Sequence, residues 1–361
     1  MTLLPSSISQ HHADYFSIIE LSDLHLFDDP NKRLKKNKHG VMLNLSTSPV
    51  IGRFAPSPTG ALHLGSLVTA IASYCIAKQA KGKWLVRIED TDTERCHPKF
   101  SDLILADLER LGLHWDGNVR YQSRHLDTYH ALLDEQLKAV SYGCDCSRKF
   151  LQTYQLAHPN TQYPYPRICV HKRLSRDHAI RLVMPDNPML FFDQLQGVIS
   201  GNPQREQGDI VVRRRRIGRS FSNTPTANKG MINYMLAVVI DDALQSVNQI
   251  VRGLDILPLT IPQMVIADYL NFPPNQHYYH LPILVNAQGQ KLSKQTLAEP
   301  IQSYPAPQLI KTALQLLQQP PIDMDKPTTM LEQAVCQWNH TPLQGKQRIE
   351  VDSLQNLLAT H

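Results

Sequence analysis

The sequence carries little excess charge, few cysteines and no long apolar run. Its 37 Lys plus Arg residues against 32 Asp plus Glu residues give a net charge of only +5. This balance excludes a protein that coats nucleic acid non-specifically, so any nucleic-acid partner must be bound by local patches. No apolar run approaches the roughly 18 residues that cross a bilayer, and the N-terminus lacks the pattern of a secretory signal. We expect a monomeric, cytoplasmic protein of about two domains with no membrane partner.

Cysteine usage favours a metal over disulfide bonds. The six cysteines are few for 361 residues and unevenly spaced, which is not typical of a disulfide framework. Cys144, Cys146 and Cys169 lie within residues 142–181, where the hydrophobic periodicity fails and Pro and Tyr cluster. Three thiolates suit Zn²⁺, and a tetrahedral site needs one more ligand, for which His171 is the better candidate by general chemistry. We expect a small inserted module that is ordered by zinc.

Residues 1–48 differ from the rest of the chain. A short, partly apolar stretch is followed by a polar, basic segment at 28–40 without a hydrophobic period. The stretch Ser-Asp-Leu-His-Leu-Phe at 22–27 resembles the first metal-binding strand of calcineurin-like phosphoesterases, but the later motifs of that family are absent. We interpret residues 1–48 as an appendage whose strand-like stretch is structural or accidental.

From residue 49 the hydrophobic pattern becomes regular. Residues 50–54 are predicted as a strand, 55–60 as a Pro/Gly loop and 84–88 as a second strand. Between the strands, apolar residues recur at helical spacing at Leu64, Leu67, Val68, Ile71 and Cys75. Strand, helix and strand in such short order predict a βαβ unit of a parallel sheet that is covered by helices.

Regular structure is also predicted further along the chain. Regular structure is expected to return at 210–212 and again at 231–240, where an apolar run is followed by Asp241 and Asp242. A helix is expected to begin near Ile261. After residue 299 the chain is Pro-rich and then helical.

The loop after the first predicted strand is typical of a phosphate-binding turn. Residues 53–66 read Arg-Phe-Ala-Pro-Ser-Pro-Thr-Gly-Ala-Leu-His-Leu-Gly-Ser. Prolines and glycines allow the backbone to turn tightly, and the start of the following helix offers free amide groups to anions. The imidazole of His63 can donate to phosphate oxygens as negative charge develops on them.

This string resembles the first signature of glutamyl-tRNA synthetases, and Lys-Leu-Ser-Lys-Gln at 291–295 resembles their second, Lys-rich signature. The second signature follows a predicted strand at 281–285 and turn residues, so we expect it on a mobile loop. The resemblance implies ATP binding by His63, Gly65 and Lys294, with Mg²⁺ accompanying the ATP. It also implies that His63 and Lys294 are the catalytic residues.

The resemblance further implies an α/β fold of the class I synthetase type. This fold is a doubly wound, Rossmann-like parallel sheet with an inserted zinc-binding module and a short C-terminal helical part. The expected domains are an appendage at 1–48, the first half of the nucleotide-binding core at 49–141, the zinc insertion at 142–181, the second half of the core at 182–300 and a C-terminal helical segment at 301–361.

Glutamate requires an acidic group for its ammonium and an arginine for its carboxylates. Arg-Ile-Glu-Asp at 87–90 ends a predicted strand, and the glutamate of this motif binds the amino acid in the family. Segments 234–242 and 251–255 also look like segments of the family. The resemblance implies a glutamate site formed by Arg53, Phe54, Ala55, Pro56, Ser57, Glu89, Tyr234 and Arg252.

The fourth zinc ligand has a second candidate on resemblance. Tyr165 completes a Cys-x-Cys, Tyr-x-x-x-Cys pattern that is similar to that of short glutamyl-queuosine synthetases. The resemblance therefore favours Tyr165 over His171 and implies the ligand set Cys144, Cys146, Tyr165 and Cys169.

The part of the sequence after the second signature is short. Only residues 296–361 follow it, whereas full-length glutamyl-tRNA synthetases continue with a helical domain that reads the anticodon. The chain thus resembles the glutamyl-Q tRNA(Asp) synthetases, truncated relatives that glutamylate the queuosine base in the anticodon of tRNA(Asp). This resemblance implies glutamate, ATP and queuosine-bearing tRNA(Asp) as partners.

Two features depart from that pattern, the appendage and an insertion at 217–230 that follows four arginines at 213–216. The arginines either contact tRNA phosphates or form a solvated loop. Two other functions fit the sequence. One is a shortened glutamyl-tRNA synthetase that charges the 3′ end of tRNA(Glu). The other is a catalytically inactive tRNA-binding module, which would need neither ATP signature.

Overall fold

β-Strands form three sheets around a mainly parallel core. The structure is a computed structural model that describes residues 18–19, 49–159, 163–215, 230–275, 277–291 and 300–351. Within these ranges the strands are β1 Ile18–Ile19, β2 Ile51–Phe54, β3 Lys83–Ile88, β4 Arg120–Tyr121, β5 Ser141–Cys144, β6 Ala179–Leu182, β7 Met189–Asp193, β8 Gly197–Gly201, β9 Ile210–Arg214, β10 Met231–Ile232, β11 Gln249–Gly253, β12 His277–Leu281, β13 Ile283–Val285 and β14 Arg348–Glu350.

Helices cover the strands on both sides. In the described part of the chain they are α1 Leu64–Gln79, α2 Pro98–Arg110, α3 Leu126–Glu135, α4 Arg148–Ala157, α5 Pro203–Glu206, α6 Tyr234–Leu244, α7 Thr260–Tyr269, α8 Ala306–Leu316 and α9 Pro327–Gln337. None of these described helices has the length and apolarity that crossing a membrane requires.

The strand order of the main sheet creates a topological switch point. The order is β1-β8-β7-β12-β11-β2-β3-β4, and the six strands from β7 to β4 are parallel. From β2 the chain winds towards one edge through β3 and β4, and from β11 it winds towards the other through β12. A crevice therefore opens at the carboxyl ends of β2 and β11, which is where open α/β sheets bind ligands.

Helix α1 connects β2 to β3 and is buried along most of its length. Ten of its 16 residues are buried, as expected for a helix that is apolar on nearly every side. It packs between the main sheet and helices α8 and α9. Trp84 of β3 is also buried and donates its indole N–H to Ser73 Oγ of α1 at 2.9 Å. This packing fixes the amino end of α1 at the crevice.

A four-stranded antiparallel sheet extends the fold from the crevice. Its order is β10-β9-β6-β5. Buried residues of β6 and β9 share a hydrophobic core with α3, α6 and α7. Strand β10 lies next to the start of α6, and β5 ends at Cys144. The sheet therefore connects the crevice to the cysteine-rich segment.

The structure differs from the sequence-based expectations in three segments. The strand expected at 281–285 is divided at Pro282, because proline has no N–H to donate to a ladder. The apolar run at 231–240 is β10 followed by α6, whose start is capped by the Asn233 side chain. Residues 301–351 contain helices, as expected, but also β14, which pairs in parallel with β13.

Of the N-terminal appendage the structure describes only β1, which pairs antiparallel with β8. The stretch at 22–27 that resembles a phosphoesterase strand lies outside the described residues.

Candidate active site

A cavity of about 540 Å³ occupies the switch point. Its walls come from the loop after β2, the start of α1, the ends of β3 and β11 and the segment after β12. All the expected glutamate and ATP residues that the structure describes line this cavity, namely Arg53, Phe54, Ala55, Pro56, Ser57, His63, Gly65, Glu89, Tyr234 and Arg252. Residues far apart in the chain thus meet in one cavity.

His63 caps the amino end of α1. Its Nδ1 accepts the backbone N–H of Ser66 at 3.4 Å, and its Nε2 lies 3.1 Å from Ser66 Oγ. Because Nδ1 is an acceptor here, a neutral ring carries its proton on Nε2. That nitrogen can donate to an anion at the helix start, where the free backbone amides also favour negative charge.

Buried charges of both signs lie beside the cavity. The fully buried Arg87 donates to Asp242 Oδ1 at 2.7 Å and to Glu89 Oε1 at 3.2 Å. Arg53 donates its Nε–H to the same Asp242 oxygen at 3.1 Å. Asp242 therefore holds two guanidinium groups, and Arg87 orients the carboxylate of Glu89.

The two carboxylates differ in proton affinity. Burial raises the pKa of Glu89 to about 7, although Arg87 and Arg53 act in the opposite direction. Burial also opposes the ionisation of Asp242, but Arg53 and Arg87 outweigh it and lower its pKa. The pKa of Asp242 is thus lowered, which favours its ionised form, whereas Glu89 is poised to change its charge near neutral pH.

Arg252 is held by three neutral groups. Its Nη1 donates to Gln263 Oε1 at 2.7 Å, its Nη2 to Thr260 Oγ1 at 2.8 Å and its Nε to His280 Nε2 at 3.0 Å. The side chain is buried and still lines the cavity. No described carboxylate neutralises its charge by direct contact, so the guanidinium can bind an anionic ligand.

The second signature lies mostly outside the described residues, and Lys294 is among those not described. Both ends of the segment are described. Lys291 lines the cavity and donates to Asp255 at 2.6 Å, and Pro300 forms a β-bridge with His63. Lys291 and Pro300, the described residues on either side of 292–299, therefore lie beside the cavity.

A second cavity of about 80 Å³ adjoins the first and shares Ser57, Glu89 and Tyr234 with it. Its other walls include Gln122 and Arg214. The smaller cavity therefore lies beside Glu89, on the side where β9 and β10 meet the main sheet.

The three expected cysteine ligands form a cluster at the end of β5. The Sγ atoms of Cys144, Cys146 and Cys169 all lie within 4.8 Å of one another. Tyr165 Oη is 3.3 Å from Cys144 Sγ and 3.7 Å from Cys146 Sγ. The exposed His171 does not belong to this group. The structure thus brings together the set that includes Tyr165.

Gly208 allows Tyr165 to reach the cysteines. Gly208 has φ +64°, and a Cβ at this position would lie 2.9 Å from Cβ of Tyr165. Neighbouring Asp209 is fully enclosed and binds Arg167 through both oxygens, at 2.8 and 2.9 Å. The close backbone approach at Gly208 and the ion pair between Arg167 and Asp209 together hold Tyr165 against the cysteine cluster.

The described arginines of the run at 213–216 differ in exposure and do not form one basic surface. Arg213 is only 3% exposed, bonds the backbone carbonyl of Arg176 and pairs with Asp134. Neither alternative stated for the arginine run, contact with tRNA phosphates or a solvated loop, holds for Arg213, because its side chain in β9 is buried. Arg214 and Arg215 are exposed, whereas Arg216 and most of the insertion at 217–230 lie outside the described residues.

The sequence analysis missed the role of the buried supporting residues. Asp241 and Asp242 were noted at the end of an apolar run and within a family-like segment, but no role was predicted for them. In the structure, Asp241 accepts hydrogen bonds from Arg120 at 2.8 Å and Tyr129 at 2.7 Å. Two adjacent carboxylates in an otherwise apolar helix require buried partners, and this sequence pattern could have predicted the network. No comparable pattern pointed to His280.

Comparison with known proteins identifies the family. The family described as "tRNA synthetases class I (E and Q), catalytic domain" matches residues 49–306. The glutamyl-Q tRNA(Asp) synthetase of Acinetobacter baylyi is 45% identical over 301 residues, which are 82% of this chain and 95% of that protein. The protein of the same name from Pseudomonas putida KT2440 is 40% identical over 301 residues, which are 82% and 93% of the two chains.

Solved structures show the same fold. A glutamate tRNA ligase from Elizabethkingia meningosepticum superposes with a TM-score of 0.65 at 23% identity, over 83% of this chain and 67% of the other. The glutamate-tRNA synthetase of Elizabethkingia anophelis gives 0.67 at 23% identity, over 86% and 69%. This chain therefore has the class I synthetase fold and belongs to the family of glutamyl-Q tRNA(Asp) synthetases.

Proposed function

We propose that this protein activates glutamate with ATP and transfers it to the queuosine base in the anticodon of tRNA(Asp), in the cytoplasm. The observation that carries this proposal is the cavity at the switch point, which gathers His63, Glu89 and Arg252 beside the start of α1. An anion-binding helix start, one acid and one arginine match the chemistry of a phosphate chain and an amino acid with two carboxylates.

In the activation step the α-carboxylate of glutamate attacks the α-phosphorus of ATP, and pyrophosphate leaves with the electron pair of the broken P–O bond. Glu89 holds the ammonium, and Arg252 holds a carboxylate. His63 donates from Nε2 to the phosphates, and Lys294 stabilises their charge as pyrophosphate departs. Mg²⁺ bound with ATP would shield the phosphate charge.

Glutamate activation is expected to weaken as the pH falls through about 7. Burial raises the pKa of Glu89 to about 7, so the carboxyl is neutral below this pH and ionised above it. Only the ionised form attracts the substrate ammonium. We expect kcat/KM for glutamate in pyrophosphate exchange to fall by up to about tenfold per pH unit below 7.

The matched variant for this pH profile is Glu89→Gln, which keeps the size of the side chain and removes its ionisation. We expect a lower kcat/KM that no longer changes between pH 6 and 8. A variant that retained the wild-type profile would assign the titration to another group.

The transfer step requires a nucleophile from the tRNA at the activated carbonyl. A hydroxyl of the queuosine cyclopentene-diol attacks the carbonyl carbon and gives up its proton, the ester C–O bond forms, and AMP leaves with the electron pair of the broken acyl–phosphate bond. The smaller cavity beside Glu89 gives this group a route to the adenylate, and the exposed Arg214 on its wall can contact a phosphate. A shortened glutamyl-tRNA synthetase would use the same cavity for the 3′ end of tRNA(Glu).

Acceptor choice separates these two functions. Labelled glutamate and ATP are supplied with tRNA(Asp) that carries queuosine, with tRNA(Asp) that lacks it, or with tRNA(Glu). We expect label only on the first tRNA, in the anticodon nucleoside. Label on tRNA(Glu) would support the shortened glutamyl-tRNA synthetase, and absence of pyrophosphate exchange would support a binding module.

The cysteine cluster fits a structural zinc site. Three sulfur atoms and a phenol oxygen converge in a mostly buried position, and four such atoms would suffice for a closed tetrahedral site. Cys144, Cys146, Cys169 and Tyr165 would hold Zn²⁺, which would order a segment whose helix α4 contributes no buried residue. His171 is the alternative fourth ligand.

Purified protein is expected to contain about one zinc per chain, and Cys144→Ser is expected to lower this content strongly. The control is Cys336→Ser, since Cys336 is exposed and does not belong to the cluster. Elemental analysis measures all three proteins. Tyr165→Phe should reduce zinc retention against a chelator more than His171→Ala, and the reverse order would make His171 the ligand.

A further inference from the structure

A buried chain of hydrogen bonds extends behind Arg252, away from the cavity. His280 Nε2 lies 3.0 Å from Arg252 Nε, and His280 Nδ1 lies 2.6 Å from Asp193 Oδ2. Asp193 and His280 are fully enclosed and do not line the cavity. These two polar side chains are thus placed where no substrate contacts them, yet they are connected to a residue of the site.

The register of the strands brings the three residues of this hydrogen-bond chain together. In the parallel pair β11 and β12, Arg252 lies directly opposite His280. On the other side of β12, β7 ends with Asp193, which is registered with Tyr278. Three adjacent strands therefore each contribute one member, and rigid strands hold side chains more firmly than loops do.

The partners determine the proton position on His280. Asp193 Oδ1 accepts the backbone N–H groups of Leu195 at 2.9 Å and Gln196 at 3.0 Å, so Asp193 is an acceptor. His280 therefore carries its proton on Nδ1 and donates to Asp193 Oδ2. Its Nε2 is left to accept from Arg252, which only donates. Burial first, and then the charge of Arg252, lower the pKa of His280 and keep it neutral.

The hydrogen bonds of Arg252 leave a defined pair of donors. A guanidinium has five N–H groups, of which His280 takes the one on Nε, while Gln263 and Thr260 each take one on the terminal nitrogens. Among the described residues, one N–H on Nη1 and one on Nη2 remain for a ligand. Two such N–H groups form the fork that binds a carboxylate through both oxygens.

We propose that His280 and Asp193 are positioning residues that fix the guanidinium of Arg252 so that its remaining fork faces a carboxylate of the substrate. This proposal rests on the proposed function, in which Arg252 binds glutamate. Asp193 sets the tautomer of His280. His280 in turn fixes the orientation of the guanidinium of Arg252 by accepting its Nε–H. Neither residue contacts the substrate.

The first test compares His280→Leu with His280→Gln in glutamate-dependent pyrophosphate exchange. Leucine removes the acceptor, and we expect KM for glutamate to rise about 10- to 100-fold, by analogy with the loss seen when residues that orient metal ligands are replaced. KM for ATP should stay unchanged. Glutamine can present an oxygen near the place of Nε2 and should recover most of the loss. The control is His277→Leu, at the start of the same strand and outside the network.

A double-mutant cycle separates positioning from general structural support. In an Arg252→Gln background, His280→Leu should have no further effect on KM for glutamate, because its action passes through Arg252. An additional loss in that background would overturn the proposal. If His280→Leu does not fold, Thr260→Val and Asp193→Asn replace it, and an unchanged KM in both folded variants would equally overturn it.

The wild-type protein distinguishes this proposal from the proposed function. Absence of glutamate-dependent exchange in the wild type would refute both. Normal exchange in the wild type, together with an unchanged KM in folded His280→Leu, would refute only the positioning role.

Discussion

Replacement of Lys294 by Ala is expected to slow glutamate-dependent pyrophosphate exchange by about 10²- to 10³-fold, the usual cost of one lost transition-state contact. The segment that contains Lys294 starts at Lys291, which lines the cavity, and ends at Pro300, which pairs with His63. The two described residues that flank Lys294 in the sequence therefore both lie beside the cavity proposed to hold the phosphates. Because the charge develops as pyrophosphate leaves, kcat should fall more than the affinity for ATP.

The control for this prediction is Lys138→Ala, which removes an exposed lysine from a short helical turn that does not line the cavity. Exchange should then remain at the wild-type rate. A Lys294→Ala protein that exchanged pyrophosphate as fast as the wild type would remove this lysine from the catalytic residues.

Arg87→Met is expected to destabilise the fold by about 3–5 kcal/mol, the typical loss when one partner of a buried ion pair is removed. Arg87 is fully buried and bonds Asp242 at 2.7 Å and Glu89 at 3.2 Å. Methionine fills much of the volume but leaves these carboxylates close together without this cation. Chemical denaturation monitored by circular dichroism measures the change in free energy of unfolding.

The comparison for Arg87 is Arg205→Met. Arg205 pairs with Asp186 at 2.7 Å on the surface, where solvent screens the interaction, so little change in stability is expected. Equal stabilities of the two variants would show that the buried network contributes no more than a surface pair.

The sequence predicted the parts of the site that lie close together in the chain. The turn at 53–66 joins β2 to α1, and its anion-binding character follows from local backbone chemistry. The fold class follows from the βαβ pattern at 50–88 and agrees with the observed parallel sheet. Local patterns were sufficient here because each signal spans only a few residues.

The supporting residues could not be predicted in the same way. The contact of Arg252 with His280 depends on the register of β11 against β12, and the contact of His280 with Asp193 depends on the proximity of β7 and β12. Neither register leaves a local pattern in the sequence. Arg213 illustrates the same limit, because strand direction buries a residue that composition alone assigned to the surface.

The neighbouring position of β2 and β11 has a consequence for synthesis of the chain. Ile51 bonds to Asn248, 197 residues further along, and β2 has no partner on that side until β11 emerges. At the usual 5–20 residues per second, translation of that stretch takes about 10 to 40 s. During this interval the nascent chain presents an open strand edge at the future active site. This edge is therefore open to misassembly while the chain is still on the ribosome, before the sheet that carries the chemistry is complete.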